Sequence, residues 1–198
     1  SWKQGDTLWV KASGTWLADA EHEDIFVPVD LNALRASIAL GDFSAKPQIQ
    51  GTSTLRPSIE TMFHGLLPHR VVVHLHAVEI LAQLVRRDFE AELMSALGSD
   101  ISWAVVGYHK PGADLALALQ MTLAQSGGVN VVFLKNHGVV IGGADVEEIR
   151  SMLQLLTDRL ASPADSRAAI VPGTPPVTSY EAVEGAAVQR IALDHSLF

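Results

Sequence analysis

The chain has no cysteine in its 198 residues. Disulfides and thiolate metal sites are therefore excluded, and a reducing compartment, the cytoplasm, is the expected location. Positive charge is scarce as well. Fourteen Lys and Arg stand against 22 Asp and Glu, giving a formal net charge of −8. That balance, with no basic stripe, argues against a protein that tracks a nucleic-acid backbone, although a small anion can still bind at a local N–H-lined site. No apolar run approaches the roughly 20 residues of a membrane span. Ser1-Trp2-Lys3-Gln4 does not read as a signal peptide, and with no initiator Met the start is expected to be processed or trimmed. Neither a GxGxxG nor a GxxxxGK[ST] fingerprint occurs, so a nucleotide-binding reading has no support. No internal repeat is present.

What is there is a hydrophobic chain, 48% by composition, long enough for one folded domain over residues 1–198. Strands are expected at Thr7–Lys11, Ile25–Val29 (weakened by Pro28), Val71–His76, Ser102–Val106, Val129–Lys135 and Val139–Ile141. Helices are expected from Leu31 to Leu40 behind an Asp30 cap, from Pro57 to Leu67, from Val78 to Arg87, from Asp88 to Leu97, from Asp114 to Gln125, and from an Asp145 cap onward. The polar stretch 42–54 reads as a loop long enough to suggest function. A Pro-rich connector over 162–178 should lead to a last helix, Glu181–Leu193. Strands interleaved with helices predict a sheet covered on both faces, with some antiparallel hairpins.

The stretch RPSIETMFHGLLPHRVVVHLH, residues 56–76, concentrates the chemistry. It puts Glu60 on an expected helix and His74 and His76 two apart on the following strand. Side chains at i and i+2 of a strand share a face, so the two imidazoles can chelate one ion. His137, between Asn136 and Gly138 in an expected tight turn, offers a third ligand, and three protein ligands with an open position suit catalytic zinc. The plainer alternative makes His74 and His76 core polar groups, each needing its own hydrogen-bond partner. Glu60 has one too, as a solvated carboxylate near a helix start. His64 is expected to be a structural partner of Glu60 or of the core. His22, His69, His109 and His195 are expected at the surface.

Taken in order, VKASGT (10–15), RPSIETMFH (56–64), VVVHLHAV (71–78), the Tyr108 loop and FLKNHGVVIGG (133–143) resemble the class II aldolase/adducin family. Within it, the likeness is greatest to the aldolase domain of rhamnulose-1-phosphate aldolase/short-chain dehydrogenase fusions, and the chain is also similar to fuculose-1-phosphate aldolase. The resemblance implies an α/β fold of three α/β/α layers around a largely antiparallel sheet. It implies Zn2+, or another divalent metal, held by His74, His76 and His137, with Glu60 as catalytic acid/base. It also implies phosphate binding by Ser13, Gly14, Ser58 and Ile59, a sugar-phosphate substrate and a cyclic homotetramer. The family's Gly-Asn-x-Ser loop would end at Ser1, and its loop tyrosine motif reads Gly107-Tyr108-His109 here. The implied reaction is cleavage of a ketose 1-phosphate in carbohydrate metabolism. An epimerase or dehydratase using the same metal site, and a non-catalytic adducin-like interaction domain, are the alternatives.

Overall fold

The structure, a computed structural model, describes residues 1–161. Along them run β1 (Trp2–Gln4), β2 (Thr7–Lys11), β3 (Phe26–Asp30), α1 (Leu31–Ala39), α2 (Thr61–Leu66), β4 (Val71–Leu75), α3 (Val78–Leu84), α4 (Phe89–Leu97), β5 (Trp103–Val106), α5 (Ala113–Ser126), β6 (Val131–Leu134), β7 (Gly138–Gly143) and α6 (Val146–Leu160). The expected connector 162–178, the helix Glu181–Leu193 and His195 lie outside the described residues.

Every residue of β6 is buried. Successive side chains of a strand point to opposite faces, so such a strand needs cover on both sides. Val132 and Leu134 join one hydrophobic cluster with Leu31 and Leu34 of α1, Met62 and Phe63 of α2, and Leu115 and Leu119 of α5. Val131 and Phe133 join the other, with Ile80 and Leu84 of α3, Leu93 and Leu97 of α4, and Ile149 and Leu156 of α6. The fold is therefore α/β in three layers, with α1, α2 and α5 on one face and α3, α4 and α6 on the other.

The sheet has seven strands in the order β3-β2-β1-β4-β7-β6-β5. Neighbours are antiparallel throughout, except that β5 and β6 run parallel. Pro28 is tolerated because β3 is an edge strand, and its carbonyl accepts from Gln50 N at 2.9 Å. The two expected caps are present. Asp30 accepts from Ala33 N and Asp145 from Glu148 N, each at 2.9 Å.

Several element ends shift by one to three residues, as at α3, which stops at Leu84 rather than Arg87, and three differences bear on the frame of the site. Trp2–Gln4, not anticipated as a strand, bridges β2 and β4. The helix expected from Pro57 begins only at Thr61, with Glu60 as its N-cap residue. Pro57 instead forms a bridge with Ala12, and Ser58 N donates to Lys11 O at 3.2 Å, so this backbone is committed to β2 before it can turn. His76 falls one residue beyond β4.

Phe133 is fully buried on the strand between β5 and β7, and its ring meets Trp103 edge-on at 5.9 Å. Phe133→Ala should cost about 3–5 kcal/mol of stability. Chemical denaturation will show it as a lower midpoint at unchanged slope; a midpoint within error of the parent's would mean that this core is not cohesive.

Candidate metal centre

The β4–β7 register builds the site. Antiparallel pairing sets His74 opposite Val140 and Leu75 opposite Val139. His74 Nδ1 lies 3.1 Å from Val139 O. A carbonyl only accepts, so in the neutral ring Nδ1 carries the proton and Nε2 keeps its lone pair. The buried Phe63 ring stands edge-on to His74 at 5.2 Å and holds it from the helical side. His76 then continues past the strand end and brings its Nε2 to 3.1 Å from His74 Nε2.

His137 arrives from the β6–β7 hairpin. Leu134 pairs with Gly138, and His137 N donates to Leu134 O at 3.0 Å. Asn136 takes φ of 55°, a left-handed conformation that Asn tolerates better than most side chains. Gly138 is needed for its small size. A Cβ there would run into the Leu75 carbonyl and come within 3.1 Å of His76 Cδ2. One ring nitrogen from each of His74, His76 and His137 consequently falls within 4.8 Å of the others.

Glu60 closes the fourth side from the N-terminus of α2. Its Oε2 is 3.5 Å from His74 Nε2 and its Oε1 is 3.3 Å from His137 Nε2. The side chains of Glu60, His74 and His137 are only 13%, 8% and 10% exposed. Burial pushes the Glu60 carboxyl up. The contact with His137 and the charges of His74, His137 and His76 outweigh it, so the net direction is down and the group is an anion at neutral pH. Burial dominates at His74 and lowers its pKa to about 4, with the Glu60 charge and the Val139 contact opposing and His137 and His76 adding.

These features fit a divalent ion. Two nitrogens bonded to one zinc at about 2.0–2.1 Å each can stand no more than about 4.2 Å apart; the His74–His76 pair meets that at 3.1 Å, and a small inward shift from the 4.8 Å bound on the three would complete the set. Two facing imidazole nitrogens can share at most one proton, so a cation resolves what hydrogen bonding leaves incomplete. Glu60 Oε1 is buried and, although 3.3 Å from His137 Nε2, has no well-formed hydrogen bond among the described residues. His137 Nδ1 is buried without one as well, so that ring lacks the orienting bond His74 has.

Of the other residues singled out, His64 is a core residue: buried, packed on Phe63 and 2.9 Å from Ser1 Oγ. His22 and His109 are exposed as expected. His69 is half-buried, its ring so close to Gly142 that no Cβ would fit between them. The expected phosphate residues lie on two segments that are laced together. Ser13 N donates to Arg56 O at 2.8 Å and Ser58 N to Lys11 O at 3.2 Å. Those two amides are thus already used, whereas Gly14 N and Ile59 N have no partner among the described residues. Lys11 Nζ secures the turn through Ala12 O at 2.9 Å and Thr15 O at 2.6 Å. Ser58, Glu60, His64 and His74 share a cavity of about 190 Å3, which is below the usual size for a whole ligand. Sequence reasoning did not find the parts played by Phe63 and Gly138. Nothing local marks Phe63 as a neighbour of His74 or Gly138 as a point of close approach.

A three-layer α/β/α protein with three imidazoles and a carboxylate converging at one strand end is the class so defined. Residues 1–161 match the family described as Class II Aldolase and Adducin N-terminal domain, and the chain belongs to it. It is 25% identical over 199 residues to the uncharacterized oxidoreductase YuxG of Bacillus subtilis (strain 168), an alignment covering 87% of this chain but only 28% of that protein. The chain thus spans less than a third of that relative. The N-terminal class II aldolase domain of a conserved protein from Thermoplasma acidophilum superposes with a TM-score of 0.63 at 25% identity, over 78% of this chain and 73% of that one. An aldolase II superfamily protein from Pseudomonas syringae gives 0.56 at 19% identity, over 80% and 60%. An L-fuculose 1-phosphate aldolase gives 0.53 at 14% identity, over 78% and 68%, and shares the fold. No helix among the described residues is long and apolar enough to cross a membrane.

Two outcomes follow from this geometry. Gly138→Ala should separate the β4 end from β7, costing about 1–3 kcal/mol and weakening metal uptake; metal titration and thermal melts will read both, and a variant matching the parent in each would show that the close approach is dispensable. The second concerns pH. The His74 pKa is about 4 in the folded chain against an ordinary 6.5. The unfolded state therefore binds more protons between those values, and stability falls as pH drops through that window. Lowered pKa values at His64 and Glu60 act in the same direction. Chelator-treated protein should accordingly melt at progressively lower temperature from pH 6.5 to pH 4; a flat profile would contradict the buried neutral His74.

Proposed function

We propose that this chain is a metal-dependent aldolase that cleaves a ketose 1-phosphate by a retro-aldol reaction. The observation that carries the reading is the convergence of His74, His76 and His137 on one point beside the ionised Glu60. The three histidines would hold Zn2+, the ion best matched to three neutral imidazoles with a vacant position. When bound, the ion supplies a Lewis acid that polarises the ketose carbonyl and offsets the negative charge left as the C–C bond breaks.

The chain's own residues do the rest. In cleavage the C4 hydroxyl gives up its proton, its oxygen lone pair becomes the new aldehyde carbonyl, and the C3–C4 electron pair moves toward C2. Glu60, anionic and partly desolvated, is the group within reach that takes up a proton and returns one to C3. His74 and Phe63 keep its surroundings rigid and largely dry. The phosphate would meet the free N–H groups of Gly14 and Ile59 and the hydroxyls of Ser13 and Ser58. Backbone donors explain how a chain of net charge −8 could hold a dianion. The 190 Å3 cavity would take the reacting end of the substrate. The family resemblance carries the sugar-phosphate class, the homotetramer and the cytoplasmic location of this proposal. The epimerase alternative uses the same bond cleavage followed by addition to the other face.

The test pairs metal content with product analysis. The parent chain should carry about one zinc per chain, and His74→Ala should lose it. Glu60→Gln should keep the metal but lose C–C cleavage by a factor on the order of 10² to 10⁴. Near-parental turnover in Glu60→Gln would remove Glu60 from the mechanism. An epimeric ketose phosphate in place of two fragments would move the assignment to an epimerase, and a chain that takes up no metal would defeat the proposal.

A further inference from the structure

The loop over residues 42–54 does more than connect α1 to α2. With Arg56, Pro57 and the start of α2 it encloses a groove of about 530 Å3, within the range of small-molecule sites. Its apolar side is formed by Phe43, Pro47 and Met62, and Phe43 and Met62 are themselves packed into the core. That surface is therefore fixed rather than a chance cluster of mobile side chains. Lys46 and Arg56 also line the groove, and both are exposed. Neither side chain has a hydrogen bond or ion pair among the described residues. The carboxylate nearest along the loop, Asp42, is engaged by Ser44, whose N and Oγ donate to it at 3.1 and 2.8 Å.

Two cations without a carboxylate partner among the described residues stand beside an apolar floor, in a chain with a formal net charge of −8. The field of the whole molecule repels anions, so local cations left without carboxylate partners are a specific attraction. We propose that this groove is a binding site for a small amphipathic anion. Its phosphate or carboxylate is held by Lys46 and Arg56, and its apolar body, of aromatic-ring size, rests on Pro47, Ile49 and the exposed edges of Phe43 and Met62. The site is separate from the candidate metal centre, whose histidines and Glu60 do not line it. The groove also meets two residues proposed above for the substrate phosphate, Ser58 and Ile59. Ser58 lines both cavities, and its Oγ accepts from Glu60 N at 3.2 Å. An occupant of the groove therefore bears on the segment that carries Glu60.

Calorimetric titration of the full chain tests this with four probes: 1-naphthyl phosphate, 1-naphthoate, 1-naphthol and inorganic phosphate. One naphthyl anion should bind per chain. The preferred anion identifies the head group. Neutral 1-naphthol and inorganic phosphate should each bind at least tenfold more weakly, because each lacks one half of the recognition. In the Lys46→Gln/Arg56→Gln double variant, the naphthyl anion should also bind at least tenfold more weakly. Both side chains are exposed, so an unchanged melting temperature will show that the variant is folded. Raising the salt concentration should weaken the parent's binding and leave the variant's nearly unchanged. Equal binding of 1-naphthol, equal binding of inorganic phosphate, undiminished affinity in the double variant, or no binding at millimolar probe would each overturn the proposal. None of these readouts involves metal or turnover, and loss of binding in the double variant separates this groove from the phosphate site proposed at Ser13, Gly14, Ser58 and Ile59, in which the Lys46 and Arg56 side chains take no part.

Discussion

The pairing of β4 with β7 is the constraint on which the candidate site depends. It sets His74 against Val140, offers the Val139 carbonyl to His74 Nδ1 and brings the hairpin bearing His137 beside the strand end bearing His76. The approach is close enough that position 138 admits no side chain. Core packing maintains this register, because β7 is buried along its whole length. A slip of one residue would turn Val139 and Ile141 away from their cluster and would scatter the imidazoles at the same time. Folding energy and site geometry are thus tied to one alignment.

The electrostatics follow from the same burial. Desolvation drives His74 toward its neutral form, which is the form that ligates. Glu60 would be driven toward its neutral form too, were it not surrounded by three imidazoles. The result is an anion and the neutral His74 held against two further imidazoles. Left without a cation, such an arrangement is poorly satisfied, which is why the plainer reading of the histidines as ordinary core polar groups accounts for them less well. Among the described residues, His74 has the independent hydrogen bond that reading requires, buried His137 Nδ1 has none, and His76 is exposed rather than a core group.

Much of this was legible in the sequence. The His74–His76 spacing, the tight turn at Asn136-His137-Gly138 and the caps at Asp30 and Asp145 all carry local signals, and the elements they mark are present. What was not legible depends on distant partners. Trp2–Gln4 is too short to display an alternation, and it becomes a strand because β2 and β4 flank it. Pro57-Ser58 looks like a helix opening, but its backbone is bonded to the end of β2, so Glu60 sits at the N-cap position of α2, without a capping hydrogen bond, instead of riding on its face. Nor could local pattern reveal that the amides of Ser13 and Ser58 are already bonded to each other's segments. Half-buried His69, expected at the surface, is explained by Gly142, far along the chain.

The β4–β7 alignment also bears on the order in which the molecule assembles. His74 and Val139 are 65 positions apart. Loops of that size close late, after local helices and hairpins have formed, because their entropy cost falls due before the contacts that repay it. The β6–β7 hairpin can form early and carry His137 in its turn, but the other two imidazoles join it only when the middle of the sheet zips shut. The ring of histidines is therefore a reporter on a long-range step of folding. A partly folded chain in which β4 and β7 are unpaired, whatever its helix content, has not formed it.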